Sequence, residues 1–194
     1  MITEALIVIL AYLLGSIPTA YILGRLVNGV DIRKMGSGNV GIVNAFRSLG
    51  LRSALVVLVA DIGKGMFVVL LAQALRLALP VVLLAGGAAV IGHNWPVFLH
   101  FRGGRGSATT LGVLLILIPR ELLITLGAAS IIFFITRKPL ATVVVLLAPL
   151  GPLCYLLGQS PILSLYALVL PVLVAVTAFT KARRWKRHQS SKGN

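Results

Sequence analysis

Residues 5–24 run for twenty positions without one charged side chain. At 1.5 Å per residue, a helix of that length covers the roughly 30 Å of a bilayer's hydrocarbon core. Lipid offers backbone N–H and C=O groups no partner, so a crossing segment must satisfy them itself, as a helix does. Further apolar runs follow at 54–75, 77–95, 107–118, 122–135, 140–157 and 162–179. The sequence therefore predicts an all-α integral membrane protein of seven short transmembrane helices, the first kinked at Pro18. No internal repeat relates the spans.

Hydrophobic residues make up 58% of the chain and charged residues only 11%. Soluble chains carry about 25% charged residues, so a soluble domain is excluded. The 194 residues accommodate one polytopic domain at 1–180 and a basic tail at 181–194. The net charge of +14 follows the positive-inside rule. Seven spans place fifteen of the 18 Lys and Arg residues on one side, leave Arg76 and Arg120 on the other, and hold Lys64 within a span. Fusing 107–118 with 122–135 would carry the basic tail to the side opposite the basic loops after the first and third spans. The N-terminus is thus expected outside and the C-terminus in the cytoplasm. Nucleic acid is not expected as a partner, because aromatic side chains do not interleave with the basic ones. The one cysteine, Cys154, rules out an intrachain disulfide. The first basic residue is Arg25, so the N-terminus lacks the charged start of a signal peptide and reads as a retained first span.

Three segments contain more than topology requires. In the first, Gly36-Ser37-Gly38-Asn39-Val40-Gly41 precedes Asn44, Arg47 and Gly50. Glycines let successive N–H groups turn inward around an anion, and a short helix over about 40–49 would aim its N-terminus there too. Asn44 and Arg47, three apart, share a face of that helix, and an arginine can fork onto phosphate or carboxylate. The structural alternative is a glycine-rich interfacial turn carrying a topology-setting arginine.

The second segment is His93-Asn94-Trp95-Pro96, then Arg102-Gly103-Gly104-Arg105-Gly106-Ser107. Two arginines flank backbone that permits close approach, and the next span begins at Ser107 or Thr109. The spacing is not that of a Walker A loop. Trp95 suits an interface anchor, and His93 alone is more often a satisfied buried histidine than a catalyst. Three histidines and four carboxylates scattered over the chain do not make a metal site. The third segment is Asp61, Lys64 and Gly65 inside the second span. An ion pair there is either a structural clamp between helices or part of the site. Together the three segments imply an anion site, most simply for phosphate, at the cytoplasmic face of a small helical bundle.

At these residues the chain resembles the membrane acyl-phosphate:glycerol-3-phosphate acyltransferases of bacteria. The resemblance is carried by Gly15-Ser16-Ile17-Pro18, Asp31-Ile32-Arg33, the Gly36 to Gly41 run with Asn44 and Arg47, Asp61-Ile62-Gly63-Lys64-Gly65, Gly92-His93-Asn94-Trp95-Pro96-Val97-Phe98 and Phe101-Arg102-Gly103-Gly104-Arg105-Gly106. It extends from about Tyr12 to Leu111, and beyond that rests on topology and on Leu140-Ala141-Thr142.

The resemblance implies a multi-pass protein of the bacterial plasma membrane, its active face toward the cytoplasm. It would transfer a fatty acyl group from acyl phosphate to the 1-hydroxyl of glycerol 3-phosphate, releasing lysophosphatidic acid and phosphate. No cofactor or metal is implied, and the chain is expected to work as a monomer among membrane lipids. Ser37, Asn44, Arg47 and His93 would be the catalytic set. Gly36, Gly38, Asn39, Gly41, Lys64, Asn94, Arg102, Gly103, Gly104, Arg105, Gly106 and Thr142 would bind substrate. The hydroxyl proton is expected to pass to a phosphate oxygen in preference to His93.

The chain departs from the family pattern in four places. Ile42 and Val43 stand where relatives have Ala-Thr, Arg105 replaces a lysine, and Pro139 replaces a serine. The family's late His-x-x-Asn element has no counterpart in the run from Lys181 to His188. The alternative is a non-catalytic paralogue that binds a phosphorylated lipid or metabolite.

Overall fold

The computed structural model describes residues 1–137, 142 and 145–190. The described residues fold as helices joined by turns: α1 (Ile2–Gly15), α2 (Thr19–Asn28), α3 (Ile42–Ala74), α4 (Leu79–Asn94), α5 (Ser107–Leu117), α6 (Pro119–Thr136), α7 (Leu150–Leu156) and α8 (Pro161–Ser190). Short 3₁₀ turns lie at Ile32–Lys34 and Val97–Leu99. Five stretches are long and apolar enough to cross a membrane: Ile2–Asn28, Ile42–Ala74, Leu79–Leu99, Pro119–Thr136 and Pro161–Lys181. Ser107–Leu117 and Val145–Leu156 are apolar but shorter.

Where sequence and structure differ, the backbone chemistry explains it. Pro18 does more than kink the first span: helix stops at Gly15 and restarts at Thr19. Proline supplies no N–H and disfavours helical geometry in the residue before it. The short helix expected before the second span is present over residues 42–49. Gly50, at φ 85° and ψ 176°, breaks α3 immediately after it, a conformation open to glycine and costly for other residues. The last helix continues past the expected end at 179 as far as Ser190. Of the Leu140-Ala141-Thr142 segment, only Thr142 is among the described residues.

The chain forms two compact units, one of Met1–Val113 together with the chain from Val174 onward, the other of Leu114–Leu173. The second unit contains a buried carboxylate, Glu121, which takes a hydrogen bond from Gln159 Nε2 at 3.0 Å. Arg120 of the same unit donates to the Leu157 carbonyl at 3.1 Å.

The first unit is assembled by small residues. A Cβ on Gly15 would run into the Ala89 backbone, and one on Gly92 into the Tyr12 carbonyl, so α1 and α4 cross with their backbones nearly touching. The crossing of α3 and α5 is alike, with Gly65 against Thr109 and Gly112 against Ile62. Lipid tails are as apolar as leucine, so helices in a bilayer associate through close packing rather than hydrophobic burial. Beneath the first glycine loop, Ala20, Ile32, Val40, Ala45, Ala54, Val57 and Leu99 form a buried apolar cluster that seats it.

Gly92→Val should therefore lower the thermal midpoint of the purified protein by roughly 10 °C or more, as over-packing at a backbone contact costs several kcal/mol. Gly63→Ala, at a position with open space around it, should leave the midpoint unchanged or raise it slightly. Equal tolerance of both substitutions would contradict the close crossing.

Candidate functional site

The sequence-predicted residues, Thr142 excepted, belong to the first unit; Thr142 belongs to the second. The Gly36–Gly41 loop owes its shape to Asn44. The Asn44 amide oxygen accepts from the Ser37 N–H at 2.9 Å, and its Nδ2 donates to the carbonyls of Ile32 and Met35 at 3.0 and 3.1 Å. Asn44 is 1% exposed, and Gly36, at φ 51°, packs so tightly on its amide that a side chain there would collide. Asn44 thus holds the loop's backbone. Gly38 also has a left-handed φ of 66°. Ser37 and Asn39 are half-buried on this loop, and Gly41 starts the helix that follows. Arg47 is exposed and makes no hydrogen bond or ion pair among the described residues, which leaves its guanidinium open to an anion.

The loop's approach is fixed by Asp31. Its carboxylate caps the 3₁₀ turn through the Arg33 N–H at 3.0 Å and takes two bonds from the Arg33 guanidinium, at 3.0 and 2.7 Å. Arg25 adds a longer contact of 3.7 Å. Both arginines lie over the Tyr21 ring, at 4.8 Å for Arg33 and 5.5 Å for Arg25. The hydrogen bonds from Arg33 outweigh burial and hold the Asp31 carboxyl down at a pKa of about 2, and the same pair raises that of Arg33.

Lys64 sits where α3 passes the α1–α2 break and α4. Its ammonium reaches Asp61 Oδ1 at 3.0 Å, the Ile17 carbonyl at 3.2 Å and His93 Nδ1 at 2.9 Å. Those three acceptors match the three N–H groups of an ammonium. Lys64, expected from the sequence to bind substrate, directs its donors to protein acceptors in this structure. The Ile17 carbonyl is available because Pro18 interrupts the helix. Asp61 is also contacted by Thr19 Oγ1 at 3.3 Å. His93 Nδ1 also lies 3.7 Å from Asp61 Oδ1, and the other ring nitrogen is Nε2. That nitrogen abuts Gly104 so closely that a Cβ there would overlap it.

The second glycine loop packs on the end of α4. Gly104 N–H donates to the His93 carbonyl at 3.0 Å, and a Cβ on Gly103 would strike His93 and Pro96. Gly106, at φ 81°, faces the Asn94 amide. Asn94 is fully buried, with Nδ2 against Thr177 Oγ1 at 3.4 Å. Arg102 is exposed. Arg105 is half-buried, and its Nε has no partner among the described residues. A small pocket joins the segments: Ile17, Pro18 and Thr19 from the helix break, Val40 from the first loop, His93 and Pro96, then Gly103 and Gly104.

Sequence inspection missed two parts. Lys181 was counted in the basic tail, yet its Nζ donates to the carbonyls of Asn94 at 2.8 Å, Gly103 at 3.0 Å and Gly104. Tyr12 donates through its hydroxyl to the Trp95 carbonyl at 2.9 Å. Neither lies in a glycine-rich run, and their partners are backbone atoms far along the chain. The i, i+4 spacing of Thr177 and Lys181 was the only available signal.

Residues 5–189 match the glycerol-3-phosphate acyltransferase family. The chain is 41% identical over 179 residues to glycerol-3-phosphate acyltransferase 4 of Dehalococcoides mccartyi, spanning 92% of this chain and 97% of that protein. It is 49% identical over 137 residues to the glycerol-3-phosphate acyltransferase of Bacillus subtilis, spanning 69% of this chain and 68% of that one. The crystal structure of PlsY, an integral membrane glycerol 3-phosphate acyltransferase, in its glycerol 3-phosphate form is similar at a TM-score of 0.82. The identity is 32%, covering 96% of this chain and 93% of that one. The lysophosphatidic acid form of PlsY gives a TM-score of 0.80. Fold and site together define an integral membrane acyltransferase. The chain belongs to the glycerol-3-phosphate acyltransferase family.

Two measurements test the loop geometry. Asn44→Ala should remove the acceptor for Ser37 N–H and speed exchange of that amide by roughly tenfold to a hundredfold, since unsatisfied buried partners cost about 1–3 kcal/mol. Unchanged protection would mean that Asn44 does not hold the loop. Because the Asp31 pKa is depressed, its contribution is complete above the ordinary value of 3.8 and fades as pH falls through about 2. Protection of the Arg33 amide, corrected for intrinsic exchange, should fall along that path, and Asp31→Ala should be unprotected throughout.

Proposed function

We propose that this chain transfers a fatty acyl group from acyl phosphate to the 1-hydroxyl of glycerol 3-phosphate. The products are lysophosphatidic acid and phosphate, and the step belongs to phospholipid synthesis. The observation that supports this most directly is the pocket shared by Val40 of the first glycine loop and Gly103 and Gly104 of the second. Two loops that permit close backbone approach, one followed by a helix that carries Arg47 and the other bearing Arg105, suit two phosphorylated reactants. Those reactants repel one another in water. What a catalyst must supply is alignment and fixed positive charge, because phosphate already leaves readily from a mixed anhydride.

On this reading Ser37, Asn39 and Arg47 contact the phosphate and carbonyl of one substrate, and Arg105 with Gly103, Gly104 and Gly106 takes the other phosphate. Arg102 adds charge at the rim. Asn44, Lys64 and Asn94 act by holding loops and helices in place. The hydroxyl oxygen attacks the acyl carbonyl, the acyl–phosphate C–O bond breaks, and the hydroxyl proton goes to a phosphate oxygen. That route needs no base from His93, whose Nδ1 is engaged by Lys64 and whose Nε2 abuts Gly104. Seven spans, with the two shorter apolar helices included, an outside N-terminus and a site toward the cytoplasm of the bacterial plasma membrane complete the proposal. The basic tail lies on the same side, and a single copy suffices.

Phosphate release from palmitoyl phosphate by the purified protein, with and without glycerol 3-phosphate, tests the function. Release that needs both substrates and vanishes in Arg47→Ala is the expected result. A folded protein that binds glycerol 3-phosphate but releases no phosphate would overturn it in favour of a binding paralogue. His93→Gln should retain transfer within about tenfold, below the roughly hundredfold or larger loss expected when a general base is removed.

A further inference from the structure

We infer that Lys181 is a positioning residue for the anion site at Arg105, reaching it from the last helix through the Gly103–Gly104 backbone. Its three carbonyl acceptors come from two places, Asn94 at the C-terminus of α4 and the two glycines of the loop. A helix C-terminus presents carbonyls without intrahelical partners and a partial negative charge, so an ammonium there is bound both as donor and as cation. Trp95 adds its ring 5.8 Å from the same nitrogen. One turn earlier on α8, Thr177 meets the Asn94 side chain, so the face bearing both residues is laid against the end of α4.

The effect on the loop follows from peptide geometry. No peptide bond in the described chain is cis, and in a trans peptide the N–H points opposite to the C=O. Lys181 gathers the carbonyls of Gly103 and Gly104, which turns the N–H groups of Gly104 and Arg105 away from it. The first of these finds the His93 carbonyl. The second has no acceptor among the described residues. The Arg105 side chain offers another donor without a partner among the described residues, the buried Nε. Backbone and side chain of one residue thus present two unpaired N–H groups, a pair that suits a tetrahedral oxyanion. Gly103 and Gly104 admit no side chain at their contacts with His93 and Pro96, so the loop has few other ways to lie while Lys181 holds it. Lys181 touches no substrate in this account; it fixes the direction in which Arg105 donates.

This inference rests on the acyltransferase proposal only for the identity of the anion, and its test needs no turnover. The probe is inorganic phosphate, and the readout is the concentration that half-saturates the purified protein in equilibrium dialysis, beside the thermal midpoint measured without phosphate. Lys181→Met should raise that concentration at least tenfold while moving the phosphate-free midpoint by only a few degrees. Lys181→Cys in a Cys154→Ala background should show the same loss. Aminoethylation, which rebuilds a side chain of lysine length ending in an ammonium, should restore the half-point to within about threefold. Arg105→Gln should lose phosphate affinity too, and adding Lys181→Met to it should cost little more, because the two act on one site. A wild-type half-point in either Lys181 variant, no recovery on aminoethylation, or fully additive losses with Arg105→Gln would each overturn the inference. Should Lys181→Met fail to fold, Lys181→Gln takes its place, with an intermediate loss expected. Failure of phosphate release by the wild type would sink the acyltransferase proposal and leave this result standing.

Discussion

A lysine cannot lie within an apolar helix unless its charge is met, and the way Lys64 is met organises the first unit. Its three partners are a carboxylate on its own helix, the carbonyl freed by the Pro18 break, and an imidazole on α4. One ammonium therefore joins α3, the α1–α2 break and α4 at a single point. Isolated, that charge would cost several kcal/mol in a low-dielectric setting, and each partner would be left with an unmatched polar group. The proline that interrupts the first span and the lysine in the second are thus two halves of one arrangement.

The glycine crossings bring the backbones close enough for that arrangement to close. Gly15 and Gly92 let α1 and α4 approach, and Gly65 and Gly112 do the same for α3 and α5. With the helices that near, the connecting loops have little freedom, and each is then held by one side chain. Asn44 sets the first glycine loop with three hydrogen bonds. Lys181 sets the second with three. In both cases one polar side chain holds the loop's backbone in place, and neither the exposed Arg47 nor the half-buried Arg105 is used for that.

Much of the local structure was legible in the sequence because it depends on neighbours in the chain. The helical spans follow from long apolar runs, and the short helix expected over about 40–49 follows the glycine run before it. The glycine loops and their arginines were visible as motifs. The division of labour among the site residues was not. Asn44 and Arg47 lie three apart on one helix, yet one is buried against the loop and the other faces outward. The end of the last helix, set at 179 by hydropathy, runs on to Ser190 because basic residues can continue a helix once it has left the apolar layer.

The sequence by itself determined a helical membrane protein with two cation-bearing glycine loops, since hydropathy, charge placement and backbone freedom are properties of short stretches. Only the tertiary structure decided that Lys64 is occupied by Asp61, Ile17 and His93, and that Lys181 sits on Asn94, Gly103 and Gly104. The physical reason is that these partners are mostly backbone carbonyls, which every residue has. Which carbonyl has a lone pair to spare, and which ammonium comes within hydrogen-bonding distance of it, is fixed by how helices far apart in sequence cross.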